Sequence, residues 1–316
     1  MTTRKMHALL GGALLAAGLA FSAPAMASFG AWAQEKALGL EQHLAGLDTR
    51  EVQVGDHQWR IFTRHLDSAQ PCVVMVHGFT ARGAHWFRMA RKLPDDRCIV
   101  AVDLPGFGSS TFIATAAYDP ATQADRLSAL LKALPLGNPK VDLIGNSMGG
   151  AIIARFALRH PEQTHSLALL NAAGVSSPTL STLRRDIAAG RNGFFATDIE
   201  GFHRFYAMTM SEPPYVPGFI VDAVGEEAIA RVPRHQYIFD QLNLDDVLDA
   251  RLKDIKAPTL IVWGDQDQLL HVSMAGVWRG IPGSRVFIYK DIGHMPHLER
   301  PAQTAALYQR FLDGSL

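Results

Sequence analysis

Five short runs of β-branched and aliphatic residues constrain this chain most: Cys72–Val76, Cys98–Val102, Val141–Ile144, Leu167–Leu170 and Thr259–Trp263. Each holds four or five residues, too dense in apolar side chains for a strand with one wet face and too short for a helix. Runs of this kind suit strands buried on both faces. Between them lie stretches such as 121–134 and 148–158, with apolar residues at three- and four-residue spacings that read as helices. Strand and helix in alternation predict an α/β fold, a mostly parallel sheet covered on both sides. Glu51–Val54 and Trp59–Thr63 read as an antiparallel hairpin around Gly55-Asp56. A last strand, Arg285–Tyr289, and a last helix, opening near Pro301 and carrying Leu307 and Phe311, complete the pattern.

One segment breaks the alternation. Residues 175–256 contain no convincing strand but many apolar and aromatic side chains, among them Phe194, Phe202, Phe205, Met208, Met210 and Tyr215. They read as a helical cap or lid laid over the ends of the sheet, dividing a core made of residues 50–174 and 257–316. The plainer reading is a helical subdomain whose aromatics form only their own core.

Residues 1–27 pose a separate question. Arg4 and Lys5 precede 14 apolar and small residues, Ala8–Phe21, followed by Pro24 and an Ala25-Met26-Ala27 site. That is the layout of an export signal cleaved after Ala27. Fourteen helical residues span only about 21 Å, short of a ~30 Å hydrocarbon core. The rival is an uncleaved anchor, because no charge stands between Lys5 and Glu35. Both place the rest of the chain outside the cytoplasm, in the periplasm or secreted, or held at a membrane surface.

Composition excludes several classes of function. Thirty basic and 30 acidic residues give zero formal charge, so nothing drives the counterion release that nucleic-acid binding uses. Two cysteines cannot build a disulfide scaffold or a Cys-rich metal site. Thirteen histidines include no His-Glu-x-x-His, and His294 and His297 stand three apart in a Pro-containing loop. No metal and no organic cofactor is expected.

The chemistry concentrates in Gly145-Asn146-Ser147-Met148-Gly149-Gly150, between the strand Val141–Ile144 and the helix opening near Met148. A strand, a sharp turn with small residues two before and two after a serine, and a helix make a nucleophile elbow. The Met148 N–H, at the helix start, points where an oxyanion would form. His77-Gly78-Phe79 ends an earlier strand, with the Phe79 N–H as the second oxyanion donor. Trp263-Gly264-Asp265-Gln266-Asp267 follows a later strand, where an acid is presented. Gly293-His294 follows the last strand, where a base is presented. Ser147, Asp267, His294 is then the chain order nucleophile, acid, histidine. Asp265 is the alternative acid.

With Asp103-Leu104-Pro105-Gly106-Phe107-Gly108 added, these elements resemble the α/β-hydrolase superfamily from about residue 50 to the end, and most of all exported bacterial lipases and esterases. The resemblance implies an α/β-hydrolase fold and a serine hydrolase. His294 would take the Ser147 proton, and Asp267 would orient His294. Phe79 and Met148 would hold the oxyanion, and water would then release the acyl-enzyme. The substrate implied is a small-molecule or lipid ester, and the cap residues named above would line its acyl site. Gly-Asn-Ser-Met-Gly-Gly also fits carbon–carbon bond hydrolases of aromatic degradation, and a catalytically inactive binding member is a third reading. Esterase, lipase and phospholipase are not separated, nor is the oligomeric state. Cys72 and Cys98 each stand five residues before a strand-end landmark, His77 and Asp103. In this fold those two strands are neighbours, which leaves two readings for the pair: a disulfide between Cys72 and Cys98, or two buried free thiols.

Overall fold

The computed structural model describes residues 23–316. The leader expectation therefore lies outside the described residues as far as Ser22, and its last five residues open a helix. Helix α1, Ala23–Leu44, carries Pro24 in its first turn, where the missing N–H costs nothing. The sequence reading assigned no element to residues 29–44. The helix packs against the segment between Leu170 and Thr259, with Gly30 close to the Phe219 carbonyl and the Ala223 methyl.

Eight strands form one sheet. β1 (Asp48–Val54) and β2 (His57–Arg64) pair antiparallel, with Val54 opposite His57 across the expected turn. β3 (Cys72–Val76), β4 (Ile99–Val102), β5 (Val141–Asn146), β6 (Thr164–Leu170), β7 (Thr259–Gly264) and β8 (Arg285–Tyr289) follow. The order across the sheet is β1-β2-β4-β3-β5-β6-β7-β8, and every pairing from β4 through β8 is parallel. The chain crosses from β4 over β3 to β5, which makes the C-terminal ends of β3 and β5 a switch point where loops part and a ligand can sit.

Burial on both faces explains the dense apolar runs. Cys72, Val74 and Val76 pack into one core layer with Trp59, Val100 and Leu143, while Val73 and Met75 face the opposite layer with Trp86 and Tyr308. β8 differs: it is the sheet edge, and Phe287 and Ile288 are exposed. Helices α2 (Phe87–Ala90), α3 (Pro120–Ala133) and α4 (Met148–Arg159) lie in the first half of the chain. α3 starts at Pro120 because the Asp119 carboxylate accepts the N–H groups of Ala121 and Thr122.

Between β6 and β7 the described chain is helical: α5 (Thr182–Ala188), α6 (Ile199–Thr209), α7 (Gly218–Ala230) and α8 (Val232–Phe239). Helices α9 (Ser273–Trp278), α10 (Pro296–Glu299) and α11 (Pro301–Leu312) complete the fold. Among the described residues no helix is long and apolar enough to cross a membrane.

Cys72 and Cys98 are joined, with Cα atoms 4.5 Å apart. The parallel register pairs Val73 with Ile99, and the Val73 N–H donates to the Cys98 carbonyl, so the two residues sit side by side at the strand starts. Thiol counting on denatured, unreduced protein should find no free thiol. Reduction should cost roughly 3–4 kcal/mol in the chain-entropy model of a loop this long, read as a fall in Tm. Two free thiols in protein recovered from an oxidising compartment would contradict the bridge.

Candidate active site

The strand–helix turn holds Ser147 at φ 57° and ψ −123°, a conformation costly for a residue with a side chain. Neighbouring backbone forces it. Gly149 lies so close to β3 that a Cβ there would sit 2.2 Å from the Val76 carbonyl oxygen. The Ser147 N–H is taken by the Leu170 carbonyl at 3.1 Å, which fixes the turn against β6.

The expected acid and base are in contact. His294 Nδ1 and Asp267 Oδ2 are 2.8 Å apart, and both side chains are buried. Asp267 Oδ1 accepts the N–H groups of Leu269 (2.8 Å) and Leu270 (2.9 Å), and its Oδ2 also accepts from Asn171 Nδ2 at 2.7 Å. Three donors and a histidine thus fix the orientation of this carboxylate. Asp265 points elsewhere, with its Oδ1 accepting from the Asp291 N–H at 2.8 Å. It serves a turn, and the geometry brings Asp267 rather than Asp265 to His294.

Three polar residues that the sequence reading passed over, or left without a role, hold this arrangement. Asn146 Nδ2 donates to the carbonyls of His294 (3.0 Å) and Leu170 (3.1 Å). Asn171, fully buried at the end of β6, reaches the Gly293 carbonyl as well as Asp267. The buried Glu299 carboxylate accepts the N–H groups of Gly293 and Met295, on either side of His294, at 3.0–3.2 Å. It also accepts those of Ser211 (2.8 Å) and Glu212 (2.9 Å), just beyond α6. The His294 N–H donates to the Thr209 carbonyl at 3.0 Å, so the histidine loop is tied to the helical segment twice over. Gly293 permits the approach, since a Cβ there would stand 2.6 Å from the Ser211 nitrogen.

His77 shapes the loop carrying Phe79. Its Nε2 accepts the Leu104 N–H at 3.1 Å, so the proton sits on Nδ1 and is donated to the Gly78 carbonyl at 2.7 Å. Burial pushes the imidazole below its ordinary pKa, which keeps this neutral form. Asp103 is structural: it accepts the N–H groups of Gly83 (2.7 Å) and Ser109 (2.8 Å). Neither the Phe79 nor the Met148 N–H has an acceptor among the described residues.

Two chambers open on Ser147. One, of about 360 Å³, has His294, Phe79 and Asn146 in its wall and extends to α1, α6 and α7. The other, of about 370 Å³, has Phe79, Met148 and Leu269 in its wall and extends to α5. No hydrogen bond joins the Ser147 hydroxyl to His294; the two meet as walls of the first chamber. Catalytic contacts often tighten only once substrate is bound. Phe194, Phe202, Phe205 and Met210 line that chamber, and Tyr215 stands at its rim, 89% exposed. Met208 is the exception to the expected acyl site. Phe202, Phe205, Tyr206 and Thr209 recur at helical spacing on the chamber face of α6, which turns Met208 aside to pack with Leu183, Phe205 and Leu269. His271 bonds locally to Ser273, and His297 stacks on Trp86 at 4.2 Å. Among the described residues no His, Cys, Asp and Glu cluster could hold a metal.

The family model of the alpha/beta hydrolase fold matches residues 71–301. The chain belongs to that family. Lipase 1 of Psychrobacter immobilis is 30% identical over 88% of each chain. A monoacylglycerol lipase of Xenopus laevis is 28% identical, covering 98% of this chain and 95% of that one. Among solved structures, a membrane phospholipase A described as a bacterial virulence factor superposes with a TM-score of 0.86 at 37% identity, covering 91% of this chain and 92% of that one.

Proposed function

We propose that the chain is a serine hydrolase of carboxylic esters, acting on acyl-chain substrates through an acyl-enzyme on Ser147. The observation that carries this reading is the strained Ser147 elbow facing His294, which Asp267 orients at 2.8 Å. The lipase and phospholipase names of its relatives support an ester as the substrate. In the cycle, His294 accepts the Ser147 proton as Oγ attacks the acyl carbon and then gives it to the leaving alcohol. The N–H groups of Phe79 and Met148 receive the oxyanion, each typically worth ~10²–10³ in rate. Water repeats the sequence on the acyl-enzyme.

The helical segment 175–256 acts in this reading as the cap over Ser147. Export with the leader, into the periplasm or to a membrane surface, fits a lipid substrate and the exposed Phe29, Trp32 and Leu40 of α1. The test is a panel of p-nitrophenyl esters, an emulsified triacylglycerol, a phospholipid and a vinylogous diketone, with fluorophosphonate labelling. Ester turnover and a label on Ser147 are expected. Faster cleavage of the diketone than of any ester would replace this reading with a carbon–carbon hydrolase. Ligand retention with no turnover at all would make the chain a binding member of the family.

A further inference from the structure

The peptide unit joining Gly78 to Phe79 has two ends, and only one of them is spoken for. Its carbonyl accepts from His77 Nδ1 at 2.7 Å and from the Ala81 N–H at 3.2 Å. Its N–H, on the opposite side of a trans peptide, is the Phe79 donor assigned to the oxyanion. The unit runs directly against the nucleophile, since a Cβ on Gly78 would lie 3.0 Å from that of Ser147. Whatever holds the two donors on the Gly78 carbonyl therefore aims the Phe79 N–H. His77 is locked in the core. Ala81 is not: it stands in a turn with Thr80 at φ 62°, a left-handed conformation that a β-branched residue adopts only where its surroundings over-determine it.

The surroundings that hold this turn come mostly from the helical segment between β6 and β7. The Phe79 ring packs on Phe194, His235 and Phe239 of that segment, with centroids 4.9–5.7 Å apart, and on one ring outside it, Phe107 at 5.8 Å. At the other end of the turn Arg82 Nη2 donates to Glu227 Oε2 of α7 at 2.5 Å. We propose that Arg82 and Glu227 are positioning residues of the oxyanion hole: their pair holds the Phe79–Arg82 turn closed, and the closed turn aims the Phe79 N–H at the reacting carbonyl. The proposal rests on the serine-hydrolase reading and names what aims one of its two donors.

The pair is built to persist. Glu227 Oε1 is taken by Arg231 at 2.7 Å, so the carboxylate is gripped from both sides. Burial alone would raise the Glu227 carboxyl; Arg82 and Arg231 outweigh it and hold the group below the ordinary carboxylate range, so it stays ionised. Beyond Arg82 the Gly83 N–H is fixed to Asp103 at 2.7 Å. Without the ion pair, Thr80 and Ala81 are free to relax between the Gly78 and Gly83 anchors, and the Gly78 carbonyl keeps His77 alone.

Arg82→Met tests this cleanly, because Glu227 remains paired with Arg231 and no charge is stranded. Both side chains are half-buried, and circular dichroism gives the folded fraction of each variant. On one soluble ester, kcat per folded enzyme should fall about 10- to 100-fold, less than the loss of a whole donor and in the range of a displaced one, with KM near the parental value. Arg82→Lys, which keeps a charge for Glu227, should recover most of that loss. Arg82→Met/Glu227→Ala should be no slower than the slower single variant, since one linkage is cut in all three. A trifluoromethyl ketone gives the second readout. Ser147 Oγ adds to its carbonyl carbon, the hydroxyl proton passes to His294, and the carbonyl electron pair becomes an oxyanion. Its affinity should fall by the same factor as kcat, while the matching secondary alcohol, which forms no oxyanion, binds as in the parent. Arg82 and Glu227 line the first chamber, so the alcohol also reports any change in that wall. Parental kcat and ketone affinity in folded Arg82→Met, an equal loss for ketone and alcohol, or losses that multiply in the double variant would overturn the proposal. A parent without ester turnover, or Ser147→Ala with parental turnover, would instead remove the hydrolase reading and the proposal with it.

Discussion

Ser147→Ala, His294→Ala and the double variant should all fall to one common floor, a loss in kcat of order 10⁶. In the proposed mechanism the three groups work as a unit. Without the hydroxyl there is nothing for His294 to deprotonate, and without His294 the hydroxyl stays a neutral, weak nucleophile. What survives is the residual catalysis of the oxyanion donors and the chambers. Asp267→Asn should cost less, roughly 10⁴, because it leaves the nucleophile and base present but favours the wrong tautomer of His294. Asp267 Oδ2 meets His294 Nδ1 at 2.8 Å, which leaves Nε2 to receive the proton. Asp265→Asn should stay within a few-fold of the parent, its carboxylate being spent on the Asp291 N–H. Steady-state kcat on one soluble ester, measured for all five variants, checks the order. Losses that add in the double variant, or a crippled Asp265→Asn, would dismantle the assignment.

Ser147 and Asp267 were legible from sequence because each stands just beyond a strand that is buried on both faces, whereas His294 follows the edge strand β8 and was marked by its Gly-His pair. β3, β5 and β7 admit almost nothing but aliphatic side chains, so the first polar groups beyond them announce where the sheet ends. A parallel sheet collects those ends on one side, which is how His77, Ser147 and Asp267, far apart in the chain, come to share a site. Pattern alone was enough for the hairpin too, where Gly55 takes φ 56° in the turn.

The supporting groups were not legible, for a different reason. Asn171 holds Asp267 from the end of β6, and its only sequence signal is a polar residue directly after an aliphatic strand. Helix α1 escaped because glycines and mixed polarity blur its apolar spacing; its place is set by contact with α7 through Gly30, a tertiary fact. The division of the cavity in two is likewise a property of how α5, α6 and α7 are placed over the sheet. Nothing in the order of Phe and Met residues along the segment separates the side beside His294 from the side beside Met148.

Glu299 is the strongest case of a residue whose role lies in the fold alone, and its removal should show it. The carboxylate gathers four backbone N–H groups from two loops, Gly293 and Met295 around His294 and Ser211 with Glu212 beyond α6. In Glu299→Ala at least the Gly293 donor is left buried and unpaired, and Met295 loses its acceptor. At about 1–3 kcal/mol for each unmet donor, the protein should lose roughly 2–5 kcal/mol of stability. Turnover should fall as well, because a displacement of about 1 Å at His294 can cost ~10² in rate. Glu299→Gln separates the two effects: an amide keeps one acceptor oxygen but turns an N–H donor toward groups that are themselves donors. It should sit between the parent and alanine in Tm and in kcat, with KM for a soluble ester little changed. A role confined to folding would lower Tm in both variants while the folded fraction kept the parental kcat. A role in positioning His294 requires kcat per folded enzyme to fall in the order parent, glutamine, alanine. Unchanged kcat in folded Glu299→Ala would show that Asn146, Asn171 and the Thr209 carbonyl hold the histidine loop without it.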